Sequence, residues 1–228
     1  MGAELLNKML EIDIDKKMRR TRGRTSVKGS VNPLNGTALG VCLISIGIAV
    51  GSIAGSLVAF MIALGILLYV LVYTAILKRR SRFSVLIGGL AGSFCVWAGS
   101  AAAGSISIGS LGLGLLVLFW IPGHIWSFAL RHRDDYRKAG VPMLTAVESP
   151  QRGATVIALV NTMMALFSLL LIPVFGIYYA VILIIPLVVI MYMSYEVIAH
   201  HSGVWRLFKF SSPYLAFVFI GVIAAALA

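Results

Sequence analysis

Charge is scarce in this chain, and negative charge scarcest. Of 228 residues, 12% are charged; eight are acidic against 19 Lys and Arg. Hydrophobic residues make up 60% and mean hydropathy is +0.97. A soluble domain of this size would expose too much apolar surface, so the class is a polytopic membrane protein. Cysteine is nearly missing. Cys42 and Cys95 fall in different apolar runs without metal-ligand spacing, which excludes a cysteine-based zinc site and leaves two packing thiols, expected to be buried. There is no Walker loop, no dinucleotide fingerprint and no Ser/His/Asp arrangement. Residues 1–20 are charged and hold no apolar core, so no cleavable signal is expected.

What remains is long apolar runs. A membrane helix needs roughly 20 residues. Seven runs qualify: 37–57, 59–77, 84–104, 109–130, 154–174, 178–198 and 211–228. They are continuous rather than alternating, which indicates helices and not barrel strands. The expected fold is therefore all-α, a single membrane-embedded bundle over 1–228. All 19 basic residues lie before the first run or in the connections at 78–83, 131–153 and 199–210. Seven crossings put them on one side, the cytoplasmic side by the positive-inside rule, with the C-terminus outside. That segregation explains the net charge of +11 as orientation and lipid attraction, without nucleic acid.

The acids gather in two stretches. On a helix over 5–20, Asn7, Glu11 and Asp15 share one face at i, i+4, i+8, followed by a cluster including Arg20 and Arg24. A solvated amphipathic helix with internal ion pairs accounts for this. So does a magnesium–diphosphate site, since Mg2+ takes oxygen ligands shared with phosphates and arginines neutralise the remaining charge. The second stretch is Arg131–Leu144, RHRDDYRKAGVPML, where Asp134 and Asp135 sit among Arg137 and Lys138 before Gly140 and Pro142 break regular structure. Tyr73, Thr74, Lys78 and Arg79 close the second span as interfacial anchors or phosphate contacts. Pro122 and Gly123 are expected to interrupt the fourth span, placing His124 at a broken turn within the membrane zone beside Trp120 and Trp126. Asn161 is expected to hydrogen-bond between helices.

These stretches resemble a known family. NKMLEIDIDKKMRRTRGR, YTAILKRRS with IGGLAGS, and HIWSFALRHRDDYRKAGVPML are similar to three signatures of the protoheme IX farnesyltransferases, or heme O synthases, of the UbiA-type intramembrane prenyltransferases. The resemblance implies a helical bundle of about nine spans around a cavity open to lipid. It implies transfer of farnesyl from farnesyl diphosphate to a vinyl group of heme B, giving heme O and diphosphate. Asn7, Glu11, Asp15, Asp134 and Asp135 would then hold Mg2+, with Asp15, Asp135 and His124 central to catalysis. Arg20, Arg24, Lys78, Arg79, Arg137 and Lys138 would contact diphosphate, and Tyr73, Trp120, Trp126 and Tyr136 would line the substrate cavity. Heme B is a substrate, not a cofactor; the bilayer, a downstream heme A synthase and a terminal oxidase are the other implied partners. Departures are Glu11 for Asp, Thr25 and Thr145 for Pro, and Phe94–Cys95–Val96 for a proline pair. Set on the family pattern, the chain starts inside the second helix, so about 60 upstream residues carrying the first span are expected. The alternatives are a prenyltransferase acting on a quinone precursor or a lipid alcohol, and a non-catalytic truncated homologue.

Overall fold

The computed structural model describes all 228 residues, Met1–Ala228, and every regular element is helical. A short amphipathic helix α1 (Gly2–Leu10) is followed by α2 (Ile12–Lys17). Seven helices are long and apolar enough to cross a membrane: α3 (Pro33–Ala54), α4 (Ser56–Leu77), α5 (Ser84–Ala102), α6 (Ile108–Arg131), α9 (Pro150–Leu169), α10 (Ile172–His200) and α11 (Val204–Leu227). Between α6 and α9 lie two short helices, α7 (Arg133–Ala139) and α8 (Leu144–Val147).

Local chemistry sets the starts. Asn32 accepts the Leu34 N–H at 2.9 Å ahead of Pro33, and Ser149 accepts the Arg152 N–H at 3.3 Å ahead of Pro150. Each is a side-chain cap with proline in the first turn. Gly55, at φ 142°, separates α3 from α4 in a conformation that only glycine adopts readily.

Successive spans pack as neighbours, and α11 returns to lie against α6. The tightest core is in the second half, around Leu116, Ile157, Met164, Ile190 and Tyr214. There the Ser168 hydroxyl meets the Tyr214 hydroxyl at 2.5 Å, while the Tyr179 hydroxyl donates to the Ser168 carbonyl at 3.0 Å. Outward faces are apolar, with Ile53 87% and Ile185 73% exposed, as lipid contact requires. Helix α1 lies on α3, where Gly36 and Gly40 let Met9 and Leu6 approach closely.

Several expectations need correction. The acidic helix is not continuous over 5–20; it breaks at Glu11 (φ −107°, ψ 12°). The fourth span is not interrupted, because α6 runs through Pro122 and Gly123 to Arg131. A membrane helix tolerates proline where neighbouring groups absorb the freed carbonyl. The charged stretch after it is folded, not loop: α7 ends on Gly140 at φ 72°. The connection expected at 175–177 is present as a kink, where Gly176 (φ 78°) is non-helical and separates two helical segments within α10. Arg206 and Lys209 sit in the first turns of α11. Asn161 donates within its own helix, to the Ile157 carbonyl at 2.8 Å. Both cysteines are exposed, facing away from the core.

Candidate active site

Three buried polar side chains open the site. Asn7, Glu11 and Asp15 are 9%, 4% and 2% exposed. Burying two carboxylates without partners would cost on the order of several kcal/mol each, so their partners define the local structure. Glu11 receives Lys78 Nζ at 2.5 Å. Asp15 receives Arg24 Nη1 at 2.7 Å. Asn7 donates to Thr74 Oγ1 at 2.9 Å and to Glu11 Oε1 at 3.3 Å. The Thr21 hydroxyl donates to the Asp15 carbonyl at 3.0 Å and folds the arginine tail back onto α2.

The end of α4 supplies two of these contacts through an unusual turn. Residues Leu68–Leu77 form a π-helix, and the Lys78 N–H reaches the Tyr73 carbonyl at 2.8 Å. Such wide turns are rare and concentrate at functional sites. Inside it the Thr74 hydroxyl donates to the Tyr69 carbonyl at 2.8 Å, which leaves its oxygen to accept from Asn7. Arg79 forks onto Asp13 at 2.6 and 2.8 Å and also donates to the Leu10 carbonyl. Its hydrogen bonds hold the Asp13 carboxyl down at about 2.

The second acidic stretch docks on the first. Helix α2 packs against α7, with Ile14 and Met18 in the same core as Tyr136, Ala139 and Val141. Arg133 donates to the Ala146 and Glu148 carbonyls, and Arg137 Nε to Ala146 at 2.7 Å, so α7 is stapled to α8. Asp135 is 9% exposed; Asp134 and Lys138 face solvent. Burial pushes the Tyr136 phenol above its ordinary value, Arg20 lowers it and Glu11 raises it, with smaller influences from Arg24 and Asp15. Charges of the first stretch thus act on the second. Burial, then Arg20, lowers the His132 imidazole, while Asp135 acts in the opposite sense.

Two cavities meet these residues. One, about 460 Å3, is lined by Arg19, Arg20, Arg22, Arg131, His132, Asp134, Asp135 and Lys138 and contains no apolar side chain. The other, about 500 Å3, has Asn7 and Lys78 in its wall and runs between α4 and α5 past Tyr69, Tyr73, Val85 and Gly88 to Phe94 and Cys95. An anion suits the first and a hydrocarbon chain the second.

The remaining predicted residues go elsewhere. Trp120 donates to the Ser211 carbonyl at 3.1 Å, and His124 Nδ1 lies 3.0 Å from the Ser211 hydroxyl, both toward α11. Trp126 borders a separate cleft of about 970 Å3 lined from α5, α6 and α9, and its indole N–H has no partner. Sequence reasoning missed Tyr69, Thr21, Phe208 and Ser211 as site neighbours, and gave Thr74 no specific role. Tyr69 lies four residues before Tyr73, a usable helical signal; the others carry none.

No three Asp, Glu, His or Cys side chains converge into an all-protein metal cage. The buried oxygen donors Asn7, Glu11, Asp15 and Asp135 nevertheless suit Mg2+, which completes its shell with phosphate oxygens and water. Lys78 and Arg24 already demonstrate that cations are held against those carboxylates.

A family model described as UbiA prenyltransferase family matches residues 1–212. The chain is 43% identical over 225 residues to a protoheme IX farnesyltransferase of Metallosphaera sedula, covering 97% of this chain and 79% of that relative. In fold it is similar to an apo UbiA homolog from Aeropyrum pernix K1, with TM-score 0.79, 20% identity and coverage of 98% and 84%. It is also similar to a UbiA homolog from Archaeoglobus fulgidus bound to DMAPP and Mg2+, with TM-score 0.62, 9% identity and coverage of 97% and 83%.

Proposed function

From its membership of the UbiA prenyltransferase family, among the protoheme IX farnesyltransferases, we propose that this chain joins farnesyl to heme B at the site formed by its two acidic stretches. The chain is an enzyme of heme O and heme A biosynthesis that transfers a prenyl group. The finer assignments, farnesyl diphosphate as donor, a vinyl group of heme B as acceptor and the residues in their roles, are our reading.

The observation that carries it is the junction of a cationic, carboxylate-walled end with an apolar chamber, Asn7 and Lys78 forming part of that chamber's wall. The diphosphate binds where Asn7, Glu11, Asp15 and Asp135 are buried, and the isoprenoid chain runs down the chamber past Tyr69 and Tyr73. A bound Mg2+, held by those oxygen donors, would neutralise charge on the leaving diphosphate. Lys78 and Arg24, now on Glu11 and Asp15, and Arg20, now over the Phe128 ring at 4.9 Å, exchange these partners for phosphate oxygens as negative charge grows there. The bond from C1 of farnesyl to oxygen breaks with its electron pair leaving on diphosphate. The terminal vinyl carbon then bonds to C1, the adjacent carbon takes water, and one proton is released. Tyr69 and Tyr73 line the chamber at its polar end, where ring faces stabilise an allylic cation and the apolar walls keep water from it.

The cytoplasmic leaflet is the expected location of the site, since all basic segments share one end of the bundle. The test is to incubate membranes carrying the chain with heme B and labelled farnesyl diphosphate. Label recovered on the porphyrin is expected. Label on a quinone, or none transferred, would overturn the reading.

A further inference from the structure

The cleft of about 970 Å3 between α5, α6 and α9 takes no part in the proposed transfer. It shares no lining residue with the cationic cavity or with the apolar chamber. Two helices each turn one face to it. On α6, Phe119, Pro122 and Trp126 recur at i, i+3 and i+7. On α9, Arg152, Val156, Val160 and Met163 recur at i, i+4, i+8 and i+11.

The cleft is charged at one end and apolar along its length. At the rim, Arg82 precedes α5 and Arg152 lies in the first turn of α9. They share one carboxylate, Glu148, at 3.1 and 3.7 Å. Two cations on one anion leave a surplus positive charge. Both arginine side chains are exposed, 52% and 80%, and free to take a second acceptor. The amino end of α9 adds its dipole in the same sense. From Arg152 to Met163 the lined face runs eleven residues, about 16 Å. That is roughly half of a ~30 Å hydrocarbon core, the depth of one leaflet. Leu118, Phe119, Val156 and Val160 wall it, and the exposed Leu86 and Met163 carry it into the lipid-facing surface. Trp126 borders the cleft about 7 Å before the end of α6. It is 3% exposed, and its indole N–H has no acceptor in the protein, although a buried indole donor usually finds one.

We propose that this cleft seats one phospholipid of net negative charge, drawn from the leaflet at the basic end of the bundle. Its phosphate lies on Arg82 and Arg152, its glycerol oxygens lie level with Trp126, and one hydrocarbon chain runs down between α6 and α9. The surplus charge at the rim selects an anionic headgroup over a zwitterionic one. The length of the apolar groove selects a membrane lipid over a soluble anion. The seat also joins segments that build the prenyl site. Arg82 stands four residues past Lys78, and the Glu148 carbonyl accepts from Arg133 of α7. A seated lipid therefore braces the end of α4 against α7 and α8, and stabilises the folded chain by binding it alone.

The full-length chain in a neutral detergent is titrated with phosphatidylglycerol, with phosphatidylcholine of the same chains, and with inorganic phosphate. Native mass spectrometry counts the lipid retained, and tryptophan fluorescence on heating gives Tm. The wild type is expected to retain one phosphatidylglycerol, held about tenfold or more tightly than phosphatidylcholine, since two arginines act on the headgroup. Its Tm should rise with that lipid and not with phosphate. Arg82→Gln with Arg152→Gln should bind phosphatidylglycerol as weakly as phosphatidylcholine, with helicity by circular dichroism unchanged. Val160→Trp fills the groove and leaves the rim charges in place; it should weaken both lipids about tenfold. Equal affinity of the wild type for the two lipids, no retained lipid, or phosphatidylglycerol binding unchanged in either variant overturns the proposal. So does stabilisation by phosphate equal to that by the lipid, which would make the rim a soluble-anion site. So does a dimer that Val160→Trp splits, which would give the groove to a second copy of the chain. No step measures prenyl transfer, so failure here leaves the proposed function standing.

Discussion

At the scale of single residues, the site is a set of buried carboxylates, of which Asp15 is answered by Arg24 from its own segment and Glu11 by Lys78 from the end of α4. Asp15 and Asp135 are the two to test first. Replacing either with Asn should lower kcat by about 10²–10³-fold, and the double variant should be only slightly slower than the worse single one if, as proposed, the two act on one diphosphate. Turnover of labelled farnesyl diphosphate by the purified variants measures this. Arg79 has a different part. Its fork on Asp13 ties α1 and α2 to the end of α4, and both side chains are substantially exposed. Asp13 has a lowered folded-state value, so the pair's contribution is present above the ordinary carboxylate range and is lost as pH falls through about 2. Arg79→Ala should therefore return Asp13 to the ordinary range, seen by NMR titration. It should cost below about 1 kcal/mol at neutral pH, since exposed pairs are screened. The spacing of Asn7, Glu11 and Asp15 was legible because helical periodicity places them together. Thr21 and Ser211 were not, because a hydroxyl that bonds backbone or imidazole across the fold leaves no periodic trace.

At the scale of elements, the seven spans were readable from hydropathy alone, since lipid demands continuous apolar runs. The site geometry depends on what hydropathy cannot show. The π-helical end of α4 sets the directions of Tyr73, Thr74 and Lys78, yet its sequence, LYVLVYTAIL, reads as an ordinary apolar helix. Deleting the lipid-facing Leu71 should restore α-helical winding and rotate the following residues by about 100°. The protein should still insert and keep its helicity by circular dichroism, but the Lys78–Glu11 and Thr74–Asn7 contacts should be lost and prenyl transfer with them. Retained activity would show that the π turn is incidental. The uninterrupted α6 teaches the converse lesson. Pro122 and Gly123 looked like breakers, but a buried helix packed on both sides absorbs one missing hydrogen bond, and α6 therefore presents Trp120, His124 and Phe128 as one stripe.

At the scale of the whole molecule, the seven spans and the segregated basic residues give one orientation. In a background with Cys42 and Cys95 replaced by Ser, Ser81→Cys should react with a membrane-impermeant thiol reagent only from the cytoplasmic side, and Ser105→Cys only from the other. The same side for both would contradict the span count. Two acidic stretches, separated by more than one hundred residues of sequence, meet at one end of the bundle because α2 packs on α7, a contact that no periodicity encodes. The most direct measurement of the central claim is the mass of the heme extracted from cells that lack their own synthase and express this chain or its Asp15→Asn variant. The account predicts farnesylated heme from the first and only heme B from the second. Heme B alone from both, or farnesylated heme from both at equal yield, would contradict it.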